Sequence, residues 1–135
     1  MSGVSPSRFL LDTNAIIQLL KGNVQVLDLI ANADYLAISV ISEIEFTAFS
    51  GLSRSDLILF EAFKERVEVI DLVASNHELM KAIRSIREDR SLKLPDAIIA
   101  ASAQVESAVL VTADTKMIEQ IGEGKAQGFD LILSR

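Results

Sequence analysis

Short apolar runs alternate with amphipathic stretches along this chain, and no two-residue hairpin turn separates any two of the runs. That alternation is the strongest constraint on its fold. Antiparallel neighbours are joined by tight turns, whereas parallel strands need a crossover connection, usually a helix. The strands read at 9–11, 35–39, 67–70 and 108–111, with a further edge strand at 129–133. Helices read over 13–20, stopped by Lys21-Gly22, and after Asn23, which caps a segment carrying Val24, Val26, Leu27 and Ile30. Another follows Ser42 as N-cap through Phe49 and ends at Gly51, and one opens at Ser53 or Ser55 and runs to Lys64. Ser75 and Glu78 match a capping box for a long helix to about Arg90. Pro95 stands in the first turn of the next helix, where its missing N–H costs nothing. A short helix covers 115–121. Strands that alternate with helices give a parallel sheet covered on both faces, so the expected fold is a three-layer α/β/α sandwich.

Composition narrows the chemistry. Half of the 135 residues are apolar, enough for a real core, and no cysteine is present. Disulfides, thiolate metal sites and cysteine nucleophiles are excluded. The single histidine, His77, leaves no paired-histidine chemistry and reads as a surface residue. A net charge of −6 disfavours a protein that coats nucleic acid with a basic surface. No run approaches the ~20 apolar residues that span a bilayer, and no secretory signal is visible, so a cytoplasmic location is expected. Residues 1–7 read as a flexible N-terminal tail and 8–135 as a single domain.

In parallel α/β sheets, ligands bind beyond the carboxyl ends of the strands. Asp12 directly follows the first strand, Asp114 follows the 108–111 strand, and Glu45 lies in the first turn of the helix after 35–39. Asp96 precedes a strand, and joins the others only if its helix enters from that same edge. Each acid also has an ordinary explanation as a helix cap or first-turn charge. Caps have no reason to converge on one crevice, however. Carboxylates gathered in one pocket repel one another; a hard divalent cation, Mg²⁺ or Mn²⁺, removes that penalty using oxygen donors alone.

Four segments carry a family resemblance: L-L-D-T-N at 10–14, I-S-V-I-S-E-I-E-F at 38–46, L-P-D-A-I-I-A-A at 94–101 and V-T-A-D at 111–114. In this order they resemble the PIN-domain ribonucleases, in particular the VapC-type toxins of bacterial toxin–antitoxin pairs, over nearly the whole chain. The resemblance implies a Mg²⁺- or Mn²⁺-dependent endoribonuclease whose carboxylate quartet activates water for in-line attack on a phosphodiester. Asp12, Asp96 and Asp114 match the first, third and fourth acids. The second falls three residues after a Ser or Thr, which selects Glu45 after Ser42; Glu43 is the competitor. Two residues apart on a helix, the pair face ~200° apart, so both cannot point inward. Thr13, Asn14, Ser42 and Thr112 match groups that support the acids or contact phosphate. The chain departs from the pattern at Met117-Ile118, where many relatives carry a further acid before an aromatic; a second metal would be held weakly or only with substrate.

For substrate contact, Lys81, Arg84, Arg87, Arg90 and Lys93 form the one conspicuous basic cluster, the first three at i, i+3 spacing. Phosphate contact and a plain solvated face explain it equally well. Base stacking on aromatics is poorly provided for, with one tyrosine and no tryptophan. The helices at 13–20 and 23–30 and the group Leu57, Ile58, Leu59, Phe60 and Phe63 carry more apolar surface than one sheet face buries. An interface is therefore expected: a homodimer and, from the resemblance, a protein antitoxin occupying the groove. Two rivals remain. One is a PIN fold kept as an inactive binding module; the other is a receiver-like phospho-acceptor domain, which would need an early acid pair and a late lysine that are not evident.

Overall fold

The computed structural model describes residues 7–89 and 91–132. Five parallel strands form one sheet in the order β3-β2-β1-β4-β5. They are β1 (Arg8–Leu11), β2 (Tyr35–Ser39), β3 (Glu68–Ile70), β4 (Val109–Val111) and β5 (Ala126–Gln127). The described helices are α1 (Thr13–Leu20), α2 (Val24–Ile30), α3 (Val40–Thr47), α4 (Arg54–Lys64), α5 (His77–Asp89), α6 (Leu94–Val105) and α7 (Thr115–Ile121). The expected tail at 1–6 lies outside the described residues, as do Arg90 and Leu133.

Strand alternation divides the core into two halves, as a period of two requires. Leu10, Ala37 and Leu110 point to one face, where α5 and α6 cover them with Leu79, Ile86 and Ile99, and Met117 of α7 completes the layer. Phe9, Leu11, Ile38 and Val111 point to the other, against Ala15 and Ile16 of α1, Phe46 of α3 and Phe60 of α4. This is the three-layer α/β/α arrangement. Phe46 and Phe60 stack with ring centroids 4.2 Å apart, which ties α3 to α4. The central strands are buried on both faces, so they read as continuous apolar runs. The strand order also separates this chain from the receiver-like alternative, whose flavodoxin-like sheet runs 2-1-3-4-5.

Four local expectations need correction. Ser42 does not cap α3. The chain turns from β2 straight into the helix, and Ser39 Oγ accepts from Ile41 N at 3.1 Å. Ser42 is therefore interior and fully buried, and Glu45 lies in the second turn. That helix also ends at Thr47, before Gly51. Ser75 does not cap α5; Asn76 Oδ1 accepts from Leu79 N at 3.1 Å. Among the described residues the last strand is Ala126–Gln127, paired beside Leu110 and Val111, and the described part of the expected edge strand, 129–132, is not a strand. Residues 130–132 are held by side chains instead. Asn23 Nδ2 donates to the Asp130 carbonyl at 2.7 Å and Ile132 N donates to Gln18 Oε1 at 2.6 Å.

One open choice is resolved at α4, where Ser53 forms a capping box with Asp56. The α5 correction is directly checkable. Asn76→Ala should lower unfolding stability by about 1 kcal/mol, the usual cost of losing an N-cap, while Ser75→Ala leaves the urea midpoint nearly unchanged. Equal losses would restore Ser75 as the cap.

Candidate active site

The helices that follow β1, β2 and β4 begin at the carboxyl edge of the sheet. The α5–α6 pair is antiparallel: Arg87 Nη1 reaches the Leu92 carbonyl at 2.6 Å across their joint, while Lys81 and Gln104 line one cleft at the other end. Because α6 must deliver the chain to the start of β4, its first turn lies at the carboxyl edge. This topology brings Asp96 to the other three acids. Asp12, Glu45, Asp96 and Asp114 all line one cavity of about 540 Å³.

Asp12 is the most constrained of the four. Its backbone N–H donates to the Val111 carbonyl at 2.9 Å, which stitches β1 to β4 beyond the last paired residues. Its side chain is 5% exposed. Thr112 Oγ1 donates to Oδ2 at 2.7 Å, Asn14 Nδ2 to the same oxygen at 3.2 Å, and Thr13 N to Oδ1 at 2.8 Å. Burial nevertheless pushes its pKa up to about 6, with Asp96 and Glu45 adding like-charge repulsion against the hydrogen bonds from Thr112 and Thr13. The Asp96 carboxyl is also raised, first by burial and then by Asp114 and Glu45; Lys93 and Lys116 pull it the other way. Asp12 and Asp96 thus each sense other acids across the cavity.

Thr112 and Thr13 organise the rest. Thr112 Oγ1 accepts from Asp114 N at 3.1 Å, so one hydroxyl bridges Asp12 and Asp114. Asn14 Oδ1 accepts from Ala113 N at 2.9 Å, which locks the β4–α7 turn. Asp114 caps α7, its Oδ1 accepting from Lys116 N at 2.9 Å and Met117 N at 3.3 Å. Thr13 Oγ1 donates to Glu45 Oε1 at 2.5 Å and lies 3.0 Å from Ser42 Oγ. Glu43 points elsewhere, to Lys64 Nζ of α4 at 3.1 Å. The helix geometry therefore faces Glu45, and not Glu43, into the cavity.

The chain matches the PIN-domain family over residues 9–123, nearly its whole length. It is a PIN domain. No curated protein matches it. Among solved structures, it is similar to a chain of a toxin–antitoxin complex from Klebsiella pneumoniae at 26% identity and TM-score 0.71, covering 87% of this chain and 94% of that one. VapBC2 from Rickettsia felis, bound to a DNA fragment from its promoter, contains a chain 22% identical at TM-score 0.70, covering 90% and 98%. DNA-bound VapBC from Salmonella typhimurium contains one 24% identical at TM-score 0.65, covering 90% and 97%. At these last two identities the likeness is one of fold.

The basic cluster is not gathered at the site of this PIN domain. Lys81 stands at the far end of α6, beside Gln104 and Val105. Arg84 follows on the exposed α5 surface, Arg87 is engaged with the Leu92 carbonyl, and Arg90 lies outside the described residues. Of the described members, only Lys93 stands beside the acids, as N-cap of α6. His77 is exposed, as expected. The rest of the cavity lining is Ile17 and Leu20, from the helix expected to carry interface surface, with Phe46, Phe49, Leu52, Lys21 and Asp56, which sequence reasoning does not place at the site. Phe49 is 63% exposed there; the sequence reading keeps it inside the helix, which ends at Thr47.

Oxygen donors alone suit a hard cation such as Mg²⁺ or Mn²⁺, and the mutual repulsion of these acids is what such an ion relieves. Among the described residues, no three acidic side chains yet stand close enough to cage an ion. The donor chemistry fits such an ion. The buried Asp12 makes this testable through pH. Its folded pKa, about 6, exceeds its ordinary 3.8, so the metal-free fold takes up a proton that the unfolded chain does not hold between those values. Metal-free stability should therefore rise as pH falls from 7.5 toward 4.5, by about 2 kcal/mol from this group. Asp12→Asn should flatten that rise in thermal melts with EDTA. A parent melt independent of pH over this range would contradict the assigned environment.

Proposed function

We propose that this PIN domain is a metal-dependent endoribonuclease, acting in the cytoplasm as the toxin of a toxin–antitoxin pair. The observation that carries the reading is the convergence of Asp12, Glu45, Asp96 and Asp114, from four separate segments, on one cavity at the carboxyl edge. Helix capping accounts for Asp12 and Asp114 individually. It does not account for Glu45, which lies in mid-helix, nor for four like charges left in one crevice.

In this reading the four acids hold Mg²⁺ or Mn²⁺, which when bound supplies Lewis-acid charge for hydrolysis of an RNA phosphodiester. Thr112 and Asn14 fix the Asp12 carboxylate, and Thr112 couples it to Asp114. Thr13, backed by buried Ser42, fixes Glu45. No histidine is required. The toxin role is supported by the likeness to the Klebsiella complex. The apolar wall is the part of the cavity suited to a protein antitoxin; a segment lying across Phe49, Leu52 and Leu20 would close the acids from RNA. Homodimerisation is supported by apolar side chains left on the surface, among them Ile44, Ile58 and Leu59.

Asp96→Asn should lower RNA cleavage with Mg²⁺ or Mn²⁺ by at least about a hundredfold, the scale of losing one preorganised charged group, with the fold retained. Glu45→Gln should be far more damaging than Glu43→Gln, which breaks only the Lys64 contact. A parental rate in Asp96→Asn, or the reverse order for the glutamates, would remove the site assignment.

Metal binding to the native state alone stabilises it by ~2.7 kcal/mol at a hundredfold excess over Kd. Millimolar Mn²⁺ should therefore raise the parent melting temperature by several degrees, and Asp96→Asn should blunt the rise. A parent melt that ignores Mn²⁺, in a protein that cleaves no RNA, would leave a PIN fold serving only to bind. Light scattering at tens of micromolar should give twice the 14.7 kDa chain mass; a strict monomer would exclude the dimer.

A further inference from the structure

The acids line only part of the cavity, and cations stand beside them from two elements. Lys93 is the N-cap of α6, three residues before Asp96, and makes no side-chain cap bond. Lys116 is in the first turn of α7, and its backbone N–H is bonded to Asp114 Oδ1 at 2.9 Å. Both lysines are exposed, and among the described residues neither side chain is paired with an acid in an ion pair. The opposite wall is mainly apolar, with Phe49 and Leu52 beside Lys21 and Asp56. The conspicuous α5 stripe does not reach this rim. Lys81 sits level with Gln104, about 12 Å along α6 from Asp96 at 1.5 Å per residue.

A polyanion drawn to an acidic floor needs fixed positive charge beside it, because the protein as a whole carries −6. We infer that Lys93 and Lys116 bind the RNA phosphates flanking the scissile one. The strand then crosses the cavity mouth along the N-terminal ends of α6 and α7, leaving the apolar wall free. This rests on the nuclease reading above, and it removes Lys81 and Arg84 from the substrate path. Both lysines are substrate-positioning residues whose ammonium groups touch RNA and not the reacting atoms.

The test is steady-state cleavage of a single-stranded RNA with Mn²⁺ over a range of KCl concentrations. Four proteins are compared with the parent: Asp96→Asn, Lys93→Gln with Lys116→Gln, Lys93→Arg with Lys116→Arg, and Lys81→Gln with Arg84→Gln. Each phosphate contact to a single strand contributes about −0.7 to the slope of log affinity against log salt. The double Gln variant should raise KM more than it lowers kcat, and reduce the slope of log kcat/KM by about 1.4. The Arg pair should restore both, and the α5 pair should match the parent. A slope unchanged in the double Gln variant, or a loss in kcat alone, would overturn the inference, since the lysines would then act only on the charge of the acids. An equal slope change in the α5 pair would overturn it in favour of the α5 path. A parent that cleaves no RNA, or an Asp96→Asn variant that cleaves as the parent does, would instead defeat the nuclease reading, and this one with it.

Discussion

The carboxyl edge is arranged around one buried carboxylate. Asp12 ends β1, and its backbone N–H bonds to Val111, extending the β1–β4 pairing by one step. That bond places Thr112 beside the Asp12 side chain, where its hydroxyl donates to Oδ2 and accepts from Asp114 N. Removing one bridging hydroxyl would therefore loosen two acids together. Three donors do not cancel the cost of burying this charge, and its pKa stays near 6. An unpaired buried charge is expensive, and the proposed cation would supply the opposite charge that Asp12 lacks.

In the proposed site, capping and metal binding would draw on the same carboxylates. Asp12 Oδ1 accepts from the first amide of α1, and Asp114 Oδ1 from two amides of α7. A parallel α/β sheet makes this economical. Each helix after a strand starts at the same edge, so caps that satisfy orphan N–H groups gather at that edge by topology alone. Topology alone does not explain an acid with no capping role among them. Glu45 is that acid, since it sits in the second turn of α3 and bonds to a side chain of α1.

The elements and the acids were legible in the sequence because both depend on local chemistry. Buried parallel strands appear as unbroken apolar runs, and an acid at a strand end needs no long-range information. The errors share a different cause. Whether Ser39 or Ser42 caps α3 depends on where β2 stops, and that is set by its pairing: Ser39 is still matched with Ile70 of β3. The last strand was misplaced because 129–133 has the better apolar pattern, yet β4 pairs with Ala126 and Gln127. Arg84 and Lys81 looked close to Asp96 along the chain. The reversal between α5 and α6 carries Lys81 to the other end of the helix pair, and chain separation says nothing about such a reversal. Lys116 drew no notice because no other basic residue stands near it in the chain.

The residues misread at the C-terminus show what that segment does in the fold. Gln18 and Asn23 are both buried polar side chains, and a buried amide without partners costs a few kcal/mol. They bond to each other at 2.8 Å and to the backbone at Asp130 and Ile132. On the surface beside them, Gln25 Oε1 accepts from Asp130 N at 2.8 Å. Backbone bonding that a longer edge strand would have given to β4 is thus given to α1 and α2. The consequence reaches the site, because α1 carries Thr13 and Asn14 at one end and Gln18 one turn further on. One end of α1 is fixed by Asp12 and Ser42, and the other by the C-terminal segment through Gln18. A helix held at both ends keeps the Thr13 hydroxyl within reach of Glu45, which the four acids need if they are to close together around a cation.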